Sequence, residues 1–518
     1  MNATETFSAQ VSTDRSLPRR LLMLFAALLV AAPWFWPILA GPLPAMLPDI
    51  FAWTCGALLV GLFPWIRGWI GWIVAWGLVV AAVGSSLLAL IQYFDYDELF
   101  GIWIALTPPG YVTANVHQTN MLATLLASGV WALWYLTKTR QLMPVLATAL
   151  GAFVLTAMAA TASRTGMIQL ILFCCVVIYW SPSQRRAHVM LALALSAFYL
   201  AIAQLLPWLL EVLRGITIDR NLLGRFSGDV GCSSRKVVWA NVLHLISLKP
   251  WLGWGAGELM YAQYITLFDG VRYCEKMSNA HNIFLQMAVT MGLPFAITGS
   301  GLATVAFFKI KPWKAIEPRK QLGWGILMAI AFHSMVEYPV WFGVFQMLII
   351  QAILLLVIDE KQPLPGPDTR VGVVMGSKPM AWVAASFAFL SLLAFVSWDY
   401  LKVSQLYLPL QWRLAYYKED TLNRTRDTVL FKSHVLIAQV VTTPATSENA
   451  ERLLAGALES LRTAPDPRVI KQVITAASMA ARYDLVVLHS ERFQAAWPKD
   501  YAEWEAAQGA VHPTKTNK

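Results

Sequence analysis

Along the chain, long apolar runs alternate with short polar ones, and this rhythm sets the expected fold. Apolar runs lie near 21 to 40, 47 to 63, 69 to 92, 119 to 137, 141 to 160, 165 to 180, 188 to 210, 282 to 308, 321 to 337, 339 to 358 and 381 to 398. A helix needs roughly 20 mostly apolar residues to cross a bilayer. The pattern therefore predicts an all-α polytopic membrane protein with about 11 transmembrane helices. Two stretches break the rhythm. The first is the polar interval from Arg225 to Gln286, which holds most of a loop over 211–280 and the start of the eighth run. The second is the tail over 399–518, where ERLLAGALESLRTAPDP and VIKQVITAASMAARYD carry apolar residues at helical spacing and predict paired amphipathic helices. The expected organisation is an N-terminus over 1–20, a membrane domain over 21–398 that includes the loop, and a helical C-terminal domain over 399–518.

Composition agrees with the pattern, and charge adds an orientation. The chain is 57% hydrophobic and only 14% charged, whereas about a quarter of residues are charged in soluble domains. A net charge of +10 does not point to nucleic acid here, because Lys and Arg in a membrane protein mostly mark the cytoplasmic loops. Arg15, Arg19 and Arg20 precede the first run, Arg67 follows the second, Lys138 and Arg140 the fourth, and Arg185 and Arg186 the sixth. Lys309, Lys311, Lys314, Arg319 and Lys320 follow the eighth, and Lys361, Arg370 and Lys378 the tenth. The alternation places the N-terminus in the cytoplasm and the long loop and tail outside it, in the periplasm of a Gram-negative cell. The first run is read as a span rather than a cleaved signal, since no small-residue cleavage site follows it. Cys55, Cys174 and Cys175 fall in apolar runs and read as small buried hydrophobes. Cys232 and Cys274 share the oxidising side and are expected to pair, restraining the loop between them.

Irregular backbone at membrane depth survives only where protein or a water-filled cavity covers it, so the polar interval is the place to look for chemistry. Arg164 sits in the turn Thr161-Ala-Ser-Arg-Thr-Gly166, and Arg235 begins the amphipathic stretch SSRKVVWANVL. Guanidinium forks suit bidentate capture of phosphate oxygens. His281 opens the eighth run, with Asn279 expected as the helix cap and His281 in the first turn, as a candidate base. Gln118 and Asn120 open the fourth run and offer amide hydrogen bonds, as does Asn282 beside the histidine. Glu337 and Tyr338 close the ninth, at the outer interface. The Gly253-Trp254-Gly255-Ala256-Gly257 turn lets backbone approach a ligand or partner closely. No spacing of His, Cys, Asp or Glu suggests a metal.

At these residues the chain resembles the Wzy_C superfamily of bacterial lipid-linked glycan transferases, which includes O-antigen ligases and O-linked protein oligosaccharyltransferases of the PglL type. The resemblance rests on SRTG at 163 to 166, Arg235 with Trp239, the Gly253-Trp-Gly255 turn, and HNIFLQMAVTMGLP at 281 to 294. VHQTNMLATLL at 116 to 126, HSMVEYPVWF at 333 to 342 and DYLKVSQLYLP at 399 to 409 are similar to the protein-glycosylating branch. Two positions depart from that branch's Gln-Pro-Asn-His pattern: Thr119 replaces the proline and Met121 the histidine. The resemblance implies a periplasm-facing enzyme of the inner membrane. Its donor is an oligosaccharide on undecaprenyl pyrophosphate, and its acceptor a Ser or Thr of a pilin or other periplasmic protein. His281, Arg164 and Arg235 are then the catalytic candidates, Gln118, Asn120, Asn282, Glu337 and Tyr338 the substrate-binding ones, with no cofactor and no metal. The alternatives are an O-antigen ligase acting on lipid A-core, a glycan polymerase and, from another class, a transporter or flippase or a non-catalytic scaffold. Ionisable groups gathered at one face, with no inverted repeat, weigh against transport.

Overall fold

The computed structural model describes residues 16–39, 41–218, 231–358 and 377–511. The expectations at Arg15, Arg225, Lys361 and Arg370 lie outside those residues. All regular structure among the described residues is helical, and the chain divides into two compact units: Met1–Gly228 with Phe307–Phe395, and Asp229–Ala306 with Val396–Lys518.

The first unit begins with α1 (Ser16–Ala31), α2 (Met46–Ile66), α3 (Ile70–Tyr93), α4 (Thr119–Lys138), α5 (Pro144–Ala160), α6 (Arg164–Trp180) and α7 (Arg185–Arg214). The chain returns to it in α12 (Pro318–Ser334), α13 (Gly343–Val357) and the start of α14 (Ser377–Ser404). α3 is apolar on every side, and it packs against α1, α4 and α5. A helix of that kind belongs in the interior of a bundle, and Val74, Leu78 and Ala82 lie fully within the core. α7 instead exposes Leu193, Leu200 and Trp208, the surface of a helix that meets lipid.

Among the described residues, five helical stretches are long and apolar enough to cross a membrane: Leu17–Phe35, Met46–Tyr93, Pro182–Arg214, Leu293–Lys314 and Pro379–Tyr407. The second of these is α2 and α3 joined through one tight turn at Arg67–Trp69. Pro144–Ala160, Arg164–Trp180 and Gly343–Val357 are shorter apolar helices. The protein is accordingly a multi-pass membrane protein. Cys55 and Cys174 are buried, whereas Cys175, expected to be buried, is exposed on α6.

The second unit holds α8 (Arg235–Leu248), α9 (Leu259–Ile265), α10 (Ile283–Met291) and most of α11 (Leu293–Ile310). It also holds the tail helices α15 (Lys432–Thr442), α16 (Ala450–Thr463), α17 (Pro467–Met479), α18 (Tyr483–Ala496) and α19 (Pro498–Val511). The apolar run at 282 to 308, expected as one span, is broken between α10 and α11 at Gly292, where φ is +89°. In the tail, successive helices pack on one another. Leu453, Leu454, Ala457 and Leu461 of α16 meet Val469, Ile470, Val473 and Ile474 of α17 in one core. Their spacing is that of one helix face, which is why the amphipathic pattern was readable.

The loop and tail, expected as separate pieces, share this unit through α9. Tyr264 is buried in the tail core and its hydroxyl lies 2.8 Å from His489 Nδ1. Arg492 Nε donates to the Ile265 carbonyl at 2.8 Å. Lys276 pairs with Asp466 at 3.1 Å and Arg462 with Glu258 at 2.9 Å. Exposed ion pairs of this kind contribute about 0–1 kcal/mol each, so the apolar burial and the Tyr264–His489 contact carry most of the attachment.

Candidate active site

In the first unit three helix ends come together. The chain enters α4 through His117, whose φ of +62° is left-handed, and Gln118. It enters α6 through Ala162, φ +46°, and Ser163, whose hydroxyl accepts from the Gly166 amide at 3.1 Å as a helix cap. It leaves α12 at Ser334 and turns, with the Glu337 amide donating to the His333 carbonyl at 2.9 Å. The Glu337 carboxylate is 5% exposed. It accepts from Gln118 Nε2 at 3.4 Å and from Asn120 Nδ2 at 3.3 Å. Ser163 Oγ donates to Asn120 Oδ1 at 2.6 Å. Glu337, expected to close the ninth run, is buried against these two amides, since a carboxylate removed from water needs donors around it. Below this layer Thr124 Oγ1 lies 2.8 Å from His333 Nδ1 and accepts from Gln169 Nε2 at 2.9 Å. α4 and α6 approach closely because Gly166 has no side chain: a Cβ there would stand 3.0 Å from that of Ala123. Tyr338 stacks on Phe342 with ring centroids 5.7 Å apart.

Arg164 is the first residue of α6, and no acidic residue stands in that turn. A cation is disfavoured at the positive end of a helix. Its position there, half-buried, sets a guanidinium at the N-terminal end of a helix, a combination that attracts an anion.

The second unit repeats the arrangement. Ser234 caps α8, and Arg235 is its first residue, again with no acidic residue in the turn. One turn on, Trp239 Nε1 donates to the Ala280 carbonyl at 3.1 Å, which holds α8 against the turn that carries His281. That turn is fastened at each residue. The Ala280 amide donates to Gln286 Oε1 at 2.7 Å and the His281 amide to Asn279 Oδ1 at 3.1 Å. Asn282 Oδ1 accepts from the Phe284 and Leu285 amides at 3.0 and 3.1 Å. Asn282, not Asn279, is thus the helix cap, and His281 precedes the helix rather than lying in its first turn. Its φ of +49° is an unusual conformation for a residue with a Cβ, costing on the order of 1–3 kcal/mol and clustering at functional sites. Because Asn282 Oδ1 is engaged as a cap, any ligand contact by Asn282 falls to its Nδ2.

The loop between α8 and His281 is tied rather than free. Cys232 and Cys274 are bonded, with Cα atoms 5.4 Å apart. Asn241 donates to the Val271 carbonyl at 3.0 Å and accepts from the Tyr273 amide at 2.8 Å. Gln263 donates to the Tyr273 and Glu275 carbonyls and accepts from the Met277 amide. Two side chains therefore replace the missing backbone ladder of an irregular segment. Burial lowers Arg272, beside Tyr264 and Arg492, to about 10; its Nη atoms donate to the Gln263 and Thr266 carbonyls.

Sequence reasoning missed Ser163, Trp239 and Gln286 as positioning groups. The polar side chains lay in plain view, but their partners are remote in the chain. The turn with Gly253 and Gly255 is expected to let backbone approach a ligand or partner closely, and the backbone it approaches in the structure is that of the chain itself, at Thr290. In the structure the Trp254 and Gly255 amides donate to the Val289 and Thr290 carbonyls at 2.8 and 3.0 Å, so this turn satisfies the end of α10.

Residues 149–298 match the family described as O-Antigen ligase, and residues 321–511 match the family described as virulence factor membrane-bound polymerase, C-terminal. Among curated proteins, the ComP-specific O-oligosaccharyltransferase of Acinetobacter baylyi is 24% identical over 51% of this chain and 47% of its own length. The General O-oligosaccharyltransferase of the same organism is 23% identical over 52% and 47%. The chain thus spans about half the length of the curated relatives it matches. No solved structure matches. The first match covers Arg164, Arg235 and His281, and the second covers Glu337 and Tyr338, so the chain is similar to the O-antigen ligase and membrane-bound polymerase families over the stretches that carry these candidate residues.

Proposed function

We propose that the protein transfers an oligosaccharide en bloc from undecaprenyl pyrophosphate to a serine or threonine hydroxyl of a pilin or another periplasmic protein. The carrying observation is that Arg164 and Arg235 each occupy the first position of a serine-capped helix whose first turn holds no acidic residue. The acceptor oxygen attacks the anomeric carbon while the bond from that carbon to the pyrophosphate oxygen breaks. The hydroxyl proton passes to His281, and the lipid pyrophosphate leaves with its growing charge held by a guanidinium group, for which Arg235 and Arg164 are the candidates. Each such charge-stabilising group is typically worth about 3–4 kcal/mol of barrier. Gln118, Asn120, Asn282 and Tyr338 supply contacts to sugar or phosphate. No cofactor is called for, since the pyrophosphate is already a good leaving group. About eleven spans are read from the apolar runs, and the distribution of Lys and Arg supports an inner-membrane orientation with the N-terminus in the cytoplasm and the loop and tail in the periplasm.

The ComP-specific name of one curated relative favours a protein acceptor. The O-Antigen ligase description supports a second reading, transfer to lipid A-core. Deleting the gene separates the two. Loss of glycan mass from pilin or periplasmic proteins with an unchanged lipopolysaccharide ladder is expected; loss of the ladder with intact glycoproteins overturns the first reading and selects the second.

A further inference from the structure

The acidic side chain at the meeting of α4, α6 and α12 does something other than touch substrate. An ionised carboxylate can only accept hydrogen bonds, so the two amides facing Glu337 must present their NH2 groups to it. This decides where the two amide oxygens point. Asn120 Oδ1 takes the Ser163 hydroxyl at 2.6 Å, and the same Ser163 oxygen accepts from the Gly166 amide, capping the helix whose first residue is Arg164. Gln118 Oε1 is buried and has no hydrogen-bond partner among the described residues. A buried acceptor left without a donor is costly and uncommon in native proteins, and it is most simply explained by a donor that arrives with the ligand.

We infer that Glu337 is a positioning residue. It locks the Gln118 amide so that Oε1 faces the ligand as acceptor for a sugar hydroxyl, and through Asn120 and Ser163 it holds the first turn of α6, on which Arg164 stands. The inference rests on the oligosaccharyl-transfer reading above, and it gives Glu337 a role distinct from direct contact. A glutamine at 337 has nearly the same shape, but it carries one acceptor and one donor. One of the two facing amides must then turn over, and Gln118 has no other partner to resist the turn.

The test is a double-mutant cycle on the full chain in membranes, with a lipid-linked oligosaccharide as donor and an acceptor protein. The variants are Glu337→Gln, Gln118→Ala and both together. Glu337→Gln alone is expected to lower kcat/KM about 10- to 100-fold, the size of losing a hydrogen bond to a charged group, and to raise KM for the donor. In the Gln118→Ala background the same change should cost no more than about 3-fold, because the glutamine can still turn its one acceptor to Asn120 while the route through Gln118 is gone. Effects that multiply, or a Glu337→Gln enzyme with unchanged KM and kcat, overturn the inference while leaving the transfer reading intact. A wild-type chain that transfers nothing overturns both. If the glutamine variant fails to accumulate, Glu337→Asp, which keeps the charge but shortens the reach, enters the same cycle and reads the same coupling.

Discussion

Arg235 and His281 are joined through one indole: Trp239 stands one turn beyond Arg235 on α8, and its Nε1–H holds the carbonyl of the residue before His281. This contact makes their roles separable by mutation. Arg235→Lys keeps the charge and loses the planar fork, so turnover should fall about 100-fold if the fork grips a pyrophosphate; wild-type turnover with lysine removes the bidentate argument. His281→Ala should lower transfer by about 100-fold or more, as for the loss of a general base, with the protein still inserting and accumulating; full glycosylation by that variant refutes the role. Arg164, Arg235 and His281 were legible as candidates because ionisable groups at the edges of apolar runs are expensive to keep. The helix cap beside His281 was misread because Asn279 and Asn282 are both good caps, and only tertiary contacts decide between them. The left-handed backbone at His117, Ala162 and His281 left no signal either, since no glycine marks it.

The break between α10 and α11 shows the same division at the level of elements. Hydropathy runs unbroken from 282 to 308, so counting apolar residues returns one span, although Gly292 and Pro294 were visible interruptions. A helix end inside an apolar environment must find partners for its last carbonyls. The turn at 250–255 supplies them: besides its two donated amides, the Pro250 carbonyl accepts from the Leu293 amide at 2.8 Å. The approach is so close that a Cβ at Gly292 would run into the Trp251 carbonyl. Gly292→Ala therefore combines a conformation reserved for glycine, at about 1–3 kcal/mol, with a backbone collision. Lower accumulation and a lower melting temperature are expected in detergent-solubilised protein. Gly270→Ala, where nothing stands within 4 Å, should leave both unchanged. Equal melting of the two variants would show that the turn and the broken span are not in register.

For the molecule as a whole, the attachment of loop to tail makes the His281 turn dependent on helices some two hundred residues away. The pairing of Tyr264 with His489 was not legible, because an aromatic in a loop helix and a histidine in a tail helix carry no mark of one another. Burial, with Arg492 adding to it, lowers His489 from 6.5 to about 4. Burial also lowers His434, on α15 of the same tail. The folded state holds His489 neutral, while the unfolded chain protonates it at ordinary values, so the unfolded state binds more protons between about pH 6.5 and 4. The stability carried by this group is complete above 6.5 and is lost as pH falls toward 4, by on the order of 3 kcal/mol for a shift of that size. Thermal melting of the full protein between pH 7 and 4 should show that decline, and His489→Gln, which keeps a hydrogen-bonding partner for Tyr264 but cannot ionise, should flatten it. His434 adds to the slope in both proteins, so the difference between them isolates His489. Parallel melting curves for wild type and variant would mean that the imidazole is not held neutral against the loop. A variant that melts lower at every pH would instead show that its contact with Tyr264, rather than its ionisation, holds loop and tail together.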